Sequence, residues 1–292
     1  MPTKISPLRL DRLVLAGAAA LFLLNLSADA WSAPQSSRLI SKMKNVELCN
    51  GSDRSSPEPQ IRGCTALIND ENETTLVRAV AHNNRGGAYV AQGNFDAAID
   101  DYGQAISQNP DFARPFNNRG FAYMKKGDYD RALKDFDQAI KLNPNYARAF
   151  ANRAETYQLR RDYQSAVRDY DNVIRVQPEL VAGWNGRCWT RAIMGELQPA
   201  LADCNKALAI RPNDAATLDS RGLIHLKLGQ FDSAINDYSS ALRIEPALAT
   251  ALYGRGLARI KKGDATGGNA DLAAAVKLEK KIAENFSHYG IR

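Results

Sequence analysis

Residues that most enzyme chemistry requires are scarce here or wrongly spaced. The three histidines, His82, His225 and His288, stand far apart, so no paired-histidine metal site arises. There is no GxSxG and no HExxH. The glycines between Gly263 and Gly268 lack the Lys-Ser/Thr of a phosphate loop. Four cysteines occur without a CxxC, which argues against zinc. These absences point away from an enzyme and imply no catalytic residue, no metal and no cofactor. An excess of one charge is also missing. The formal net charge is +6 over 292 residues, which leaves nucleic acid out as a partner and allows only a loose preference for acidic partners or anionic surfaces. Wholesale disorder is excluded too, because 45% of residues are hydrophobic and 24% charged.

A membrane span needs about 20 apolar residues. Leu13 to Leu26 offers fourteen, with Asn25 among them. Lys4, Arg9 and Arg12 precede this run, and Ala28-Asp29-Ala30 follows it. That is the pattern of a secretory signal peptide over residues 1–30, cut after Ala30, and it implies a periplasmic or secreted protein. The other reading is an uncleaved segment, the one case in which the chain would associate with a membrane. No cysteine ends the run, so a lipid anchor is not expected. Cleavage would remove three cations and two anions, lowering the charge from +6 to +5.

Pro110, Pro144, Pro178, Pro212 and Pro246 are spaced 34 residues apart. Units counted from Ala79, Ala113, Ala147, Val181, Ala215 and Ala249 place these prolines at position 32. Position 8 is then Gly86, Gly120, Ala154, Cys188, Gly222 and Gly256, and position 20 is alanine in five units and Gly268 in the sixth. Position 24 is Tyr102, Phe136, Tyr170, Cys204, Tyr238 and Leu272, while Tyr89, Tyr123 and Tyr157 hold position 11. Positions 4, 8 and 11 share one helical face, as do 20, 24 and 27, so small residues permit close approach and aromatics fill the space beside them. Gly93-Asn94, Gly127-Asp128 and Gly229-Gln230 end one helix and cap the next.

This pattern resembles the tetratricopeptide repeat family. The resemblance covers residues 79–280 as six units, 79–112, 113–146, 147–180, 181–214, 215–248 and 249–280. It implies an all-α, right-handed superhelical solenoid of antiparallel helix pairs. Residues 31–78 are expected to form divergent N-terminal cap helices and a loop from Cys49 to Pro59. A helix from Asp271 through Glu284 is expected to lead into a capping segment, 281–292, with Phe286 and Tyr289 folding back.

One feature departs from the family, which favours leucine at position 7. Here arginine recurs as Arg85, Arg119, Arg153, Arg187, Arg221 and Arg255. Position 23 is as uniform: Asp101, Asp135, Asp169, Asp203, Asp237 and Asp271. An unpaired charge at a half-buried site would cost about 3–5 kcal/mol, so a structural Arg–carboxylate fork within a unit, or with the next one, is expected. The rival reading is a basic ladder for a ligand.

Cys49 and Cys64 are 15 residues apart, and Cys188 and Cys204 are 16 apart, at positions 8 and 24. Each pair has one member on each helix of a hairpin. In an exported chain the even count favours two disulfides, Cys49–Cys64 and Cys188–Cys204; the alternative is four buried thiols.

The resemblance implies that the first helix of each unit lines a concave, partner-binding face through positions 2, 5, 6, 9, 12 and 13. In the first half this selects Asn83, Asn84, Arg114, Asn117, Asn118, Lys125, Arg148 and Asn152, and position 9 adds Phe121 and Trp189 as aromatic anchors. The second half is more apolar, with Ile193, Leu223, Leu226, Leu257 and Ile260. Asparagines at position 6 would suit an extended peptide backbone, or simply form a solvated face; the row ends at Gly186, Ser220 and Gly254. The Lys at position 5 and Asn at position 9 of chaperone-tail binders are absent. The expected function is a non-catalytic protein- or peptide-binding scaffold or adaptor, with a carrier or sensor of peptides or envelope glycans as the alternative.

Overall fold

The computed structural model describes residues 33–51 and 56–291. The expected signal segment and residues 52–55 of the expected loop lie outside them. The described residues form fifteen helices and no strand: an all-α helical-repeat solenoid. They fall into two compact units, one up to Asn152 and one from Arg153. The first holds α1 (Ala33–Cys49) and α2 (Glu58–Ile68), α3 (Thr75–Ala91) and α4 (Phe95–Gln108), and α5 (Ala113–Lys125) and α6 (Tyr129–Leu142). The boundary falls inside α7 (Ala147–Leu159). The second unit continues with α8 (Tyr163–Val176), α9 (Val181–Met194), α10 (Leu197–Ile210), α11 (Ala215–Lys227) and α12 (Phe231–Ile244). It ends in α13 (Ala249–Lys261), α14 (Ala265–Leu278) and α15 (Ile282–His288). No helix among the described residues is long and apolar enough to cross a membrane.

Most of these helices have 13 or 14 residues, a length that is marginal alone, so packing holds them. The packing repeats. Ala98, Ala132, Ala166, Ala200 and Ala234 are fully buried, and Tyr102, Phe136, Tyr170 and Tyr238 sit one turn further on, 0–1% exposed. Each ring contributes roughly 1.5–3 kcal/mol by burial. A Cβ on Gly86, Gly120 or Gly222 would come within 2.7–2.8 Å of the ring at position 24 of its own hairpin, so the small residue is a steric requirement.

The turn inside each hairpin needs a left-handed residue. Gly93, Gly127, Gly195, Gly229 and Gly263 supply it, with φ between +71° and +93°. In the third repeat Arg161 takes the same conformation at φ 62°, the one positive-φ non-glycine among the described residues. Asn94, Asp128, Asp162 and Asp264 then cap the second helices through their side chains, but Gln230 does not.

Two element boundaries differ from expectation. Helix α3 starts at Thr75, four residues before Ala79, because Thr74 caps it by accepting from the Val77 N–H and no proline stops it. The expected helix from Asp271 through Glu284 is broken. Glu279 is extended, with φ −146° and ψ 103°, and α15 starts afresh at Ile282. Asn109, Asn143, Gln177, Arg211 and Glu245 are extended at the same point of earlier repeats. The second helix therefore ends at position 30 in all six repeats, including the one that lacks the proline.

Candidate functional site

The arginine at position 7 grips the aspartate at position 23 of its own hairpin with a two-pronged fork. Arg85 Nε and Nη2 donate to Asp101 Oδ2 and Oδ1, both at 2.8 Å. Arg119 holds Asp135 at 2.8 Å twice, and Arg153 holds Asp169 at 2.7 Å twice. Arg187–Asp203 closes at 2.9 and 2.6 Å, Arg221–Asp237 at 2.7 Å twice, and Arg255–Asp271 at 2.8 Å twice. The aspartates are only 3–7% exposed, which makes the fork the means by which their charge is tolerated. Burial pushes the Asp101 carboxyl up, but hydrogen bonds from Arg85 and His82 outweigh it and hold it below its ordinary range. Hydrogen bonding to Asp135 in turn raises the Arg119 guanidinium.

The remaining nitrogen reaches position 25 of the preceding hairpin. Arg85 Nη1 meets Thr65 Oγ1 at 2.9 Å, Arg187 Nη1 meets Asp171 at 2.6 Å, and Arg221 Nη1 meets Asn205 Oδ1 at 2.9 Å. Arg119 Nη1 instead faces Gly103. This second contact varies with whatever stands at position 25; the fork does not.

The cysteines form the disulfides Cys49–Cys64, joining α1 to α2, and Cys188–Cys204, joining α9 to α10. The second occupies positions 8 and 24, where other hairpins place a small residue against a ring. A covalent bond thus replaces a packing contact. No free cysteine remains among the described residues.

The residues expected to meet a partner are placed differently from an open ladder. Asn83, Asn84, Asn117, Asn118 and Asn152 are 2–7% exposed and spend their amides on one another. Asn152 Nδ2 donates to Asn117 Oδ1 at 2.9 Å, Asn117 Nδ2 to Asn118 Oδ1 at 3.1 Å, and Asn118 Nδ2 to Asn83 Oδ1 at 3.0 Å. Asn83 Nδ2 then donates to Asn84 Oδ1 at 3.2 Å. The chain of amides crosses from one first helix to the next, so it ties hairpins together; neither an open peptide ladder nor a solvated face describes it. The row stops at Gly186 and Gly254 for a steric reason: a Cβ there would come within 2.3 Å of the ring of Tyr170 or Tyr238.

Of the other residues, Arg114, Phe121 and Arg148 are half-buried and Lys125 is exposed. Lys125 Nζ lies 5.0 Å from the Phe121 ring centroid. Arg114 Nη1 is buried with no hydrogen-bond acceptor among the described residues. Trp189, in the second unit, is not an open anchor. It is 8% exposed, and Tyr289 packs edge-on against it at 4.9 Å.

Sequence reading missed Asp219, at position 5 of the fifth repeat. It is 2% exposed and accepts from Thr250 Oγ1 at 2.7 Å. Burial, opposed by that hydrogen bond and aided by Glu245, raises its carboxyl to about 7. The available signal was an acid at a position where Asn83, Asn117 and Asn185 carry amides. His82 Nδ1 lies 2.8 Å from Asp101 Oδ1, inside a fork. No group of three or more metal-ligating side chains occurs among the described residues.

Residues 86–127 and 222–263 match a family model described as TPR repeat. Residues 113–146 and 136–168 match two models described as tetratricopeptide repeat. A comparison with curated proteins finds no significant match. Among solved structures, a tetratricopeptide repeat protein from Parabacteroides merdae is similar with a TM-score of 0.67 at 19% identity, over 86% of this chain and 99% of that one. Pseudomonas aeruginosa pilF is similar with a TM-score of 0.62 at 14% identity, over 72% and 96%. PilW, a widely conserved type IV pilus biogenesis factor, is similar with a TM-score of 0.60 at 17% identity, over 72% and 94%. At these identities the likeness is one of fold. The matched family models, with the 34-residue register and the recurring hairpins, identify tetratricopeptide repeats in this chain.

Proposed function

We propose that the chain is a non-catalytic scaffold or adaptor of the periplasm or cell envelope, binding a protein or peptide through the face of its first helices. The observation that carries this reading is Arg114. The arginines at position 7 have carboxylate partners, whereas Arg114 Nη1 is buried without an acceptor among the described residues. A guanidinium nitrogen held out of water and unpaired is costly to the fold, and a turn of this half-buried side chain would bring it to a partner's carboxylate. The two disulfides support an oxidising compartment.

Crosslinking in the native envelope, followed by mass spectrometry, would identify the partner. Arg114→Gln keeps the length and planarity of the side chain but removes its charge. Capture should fall about tenfold, as expected for a charge-assisted contact, while thermal stability stays level or rises. Undiminished capture by Arg114→Gln would remove the reading.

A further inference from the structure

We propose that α15 is a displaceable internal occupant of the groove formed by the first helices α9, α11 and α13, and that this groove accepts an amphipathic helical peptide of the same chemistry. The proposal rests on the reading of this face as a protein- or peptide-binding surface. It concerns the second unit, whereas Arg114 lies in the first, so each can fail without the other.

Several observations converge on α15. Ile282, Phe286 and Tyr289 are spaced i, i+4 and i+7, which places them on one side of a helical segment. They are 0, 3 and 8% exposed. Phe286 packs 4.7 Å from the Tyr253 ring of α13, and Tyr289 reaches back to Trp189 of α9, two hairpins earlier. Leu223 and Leu226 of α11 belong to the same buried cluster, with Ile193, Leu257 and Ile291 packed at its edge. These are first-helix positions at which a partner of this architecture would be met. Three bulky anchors at this spacing in an apolar groove is the geometry by which a groove takes a helix.

The segment is also built as a separable piece. It follows a break at Glu279, and its backbone bonds close locally: Tyr289 N–H to Asn285 O, Gly290 N–H to Ser287 O, and Ile291 N–H to Phe286 O. Gly290, at φ +79°, permits this closing turn. A seven-residue helix has little stability of its own, so it is held by what it touches. Tethering by only a few residues gives it an effective concentration on the order of millimolar or more, enough to mask the groove from a weak ligand.

The test uses the full chain and a labelled synthetic peptide of residues 279–292. Replacing Phe286→Ala and Tyr289→Ala together loosens α15 in place. The peptide should bind this variant saturably and at least about tenfold more tightly than the wild-type chain, because the tethered competitor has been weakened. Adding Trp189→Ala should abolish the gain. Absence of saturable binding to a loosened variant that keeps its helical circular dichroism overturns the proposal, as does equal binding to both chains. Hydrogen exchange on the wild-type chain supplies the answer should the loosened variant not fold. Amides of residues 285–291 are expected to exchange while those of α13 stay protected. Exchange of the two segments in step would make α15 an inseparable part of the core and overturn the proposal.

Discussion

Removing Asp135 should injure the protein differently from removing Arg119, although the two form one fork. In Asp135→Ala, Arg119 loses both acceptors while its side chain is only 23% exposed, with the Phe116 ring 5.8 Å away. A guanidinium cannot shed its proton, so it has no escape from the cost. Breaking a buried pair from one side costs about 3–5 kcal/mol, and access of Arg119 to water places the expected loss near 3 kcal/mol. In Arg119→Ala the stranded group is the Asp135 carboxyl, 6% exposed. It can neutralise itself by binding a proton, which at pH 7 caps the cost near about 4 kcal/mol. Its folded-state affinity for protons then rises above the unfolded one, so that defect shrinks as pH falls toward the ordinary carboxylate range. The Asp135→Ala defect has no such dependence. The double variant strands nothing, and the coupling energy should be about 2–3 kcal/mol. Urea unfolding at pH 7 and pH 5 gives these values. Hydrogen exchange in α5 and α6 should accompany it, because repeat arrays do not unfold in one step. Additivity within about 0.5 kcal/mol would refute the reasoning. So would an Asp135→Arg variant no worse than Asp135→Ala that Arg119→Asp fails to improve.

Two further outcomes follow from particular sites. Converting the second disulfide to the packing used elsewhere, Cys188→Gly with Cys204→Phe, copies the Gly120–Phe136 contact and should keep most of the stability while making the α9–α10 hairpin indifferent to reductant. Cys188→Ala with Cys204→Ala should lose about 3 kcal/mol, the amount expected for closing a loop of this length, and equal melting temperatures of the two double variants would count against the substitution logic. Asp219→Asn should stabilise the second unit at neutral pH. The buried carboxyl holds its proton up to about 7, so the wild-type chain loses stability as pH rises from the unfolded value near 3.8 toward 7, and the asparagine variant does not. The gap, on the order of a few kcal/mol at pH 8, should close by pH 4; a constant gap in thermal melts across that range would contradict the burial argument.

The hairpins from α3 to α14 were legible because each 34-residue step repeats the same steric demands: a small residue at 8, alanine at 20, a ring at 24. The cysteine pairs were legible for the same reason, standing at two of those positions. The fork was anticipated from composition, since an acid recurs with every base, but that its third nitrogen also reaches position 25 was not. For the asparagines the sequence indicates the right helices but not their surroundings. A helical wheel places Asn83 on a face of α3 and Asn118 on a face of α5, but does not show that these neighbouring first helices close together and that the amides satisfy each other across 35 residues. The burial of Trp189 is hidden in the sequence for a similar reason, because its cover comes from Tyr289, one hundred residues away in the chain. The break after Leu278 has no proline behind it to mark it in the sequence, yet the extended residue at position 31 recurs with or without that proline.

The forks also bear on how long such an array can be. Each hairpin from α3 to α14 carries its own cation and its own anion and cancels them internally. The contact that crosses to the preceding hairpin accepts a hydroxyl, an amide, a carboxylate or a glycine in that place. Cutting out one 34-residue module, or copying one in, would therefore leave no half-pair behind and no change of fork charge. A ladder that paired each base with the acid of the next module would lack that freedom, because every insertion would have to match its neighbours on both sides.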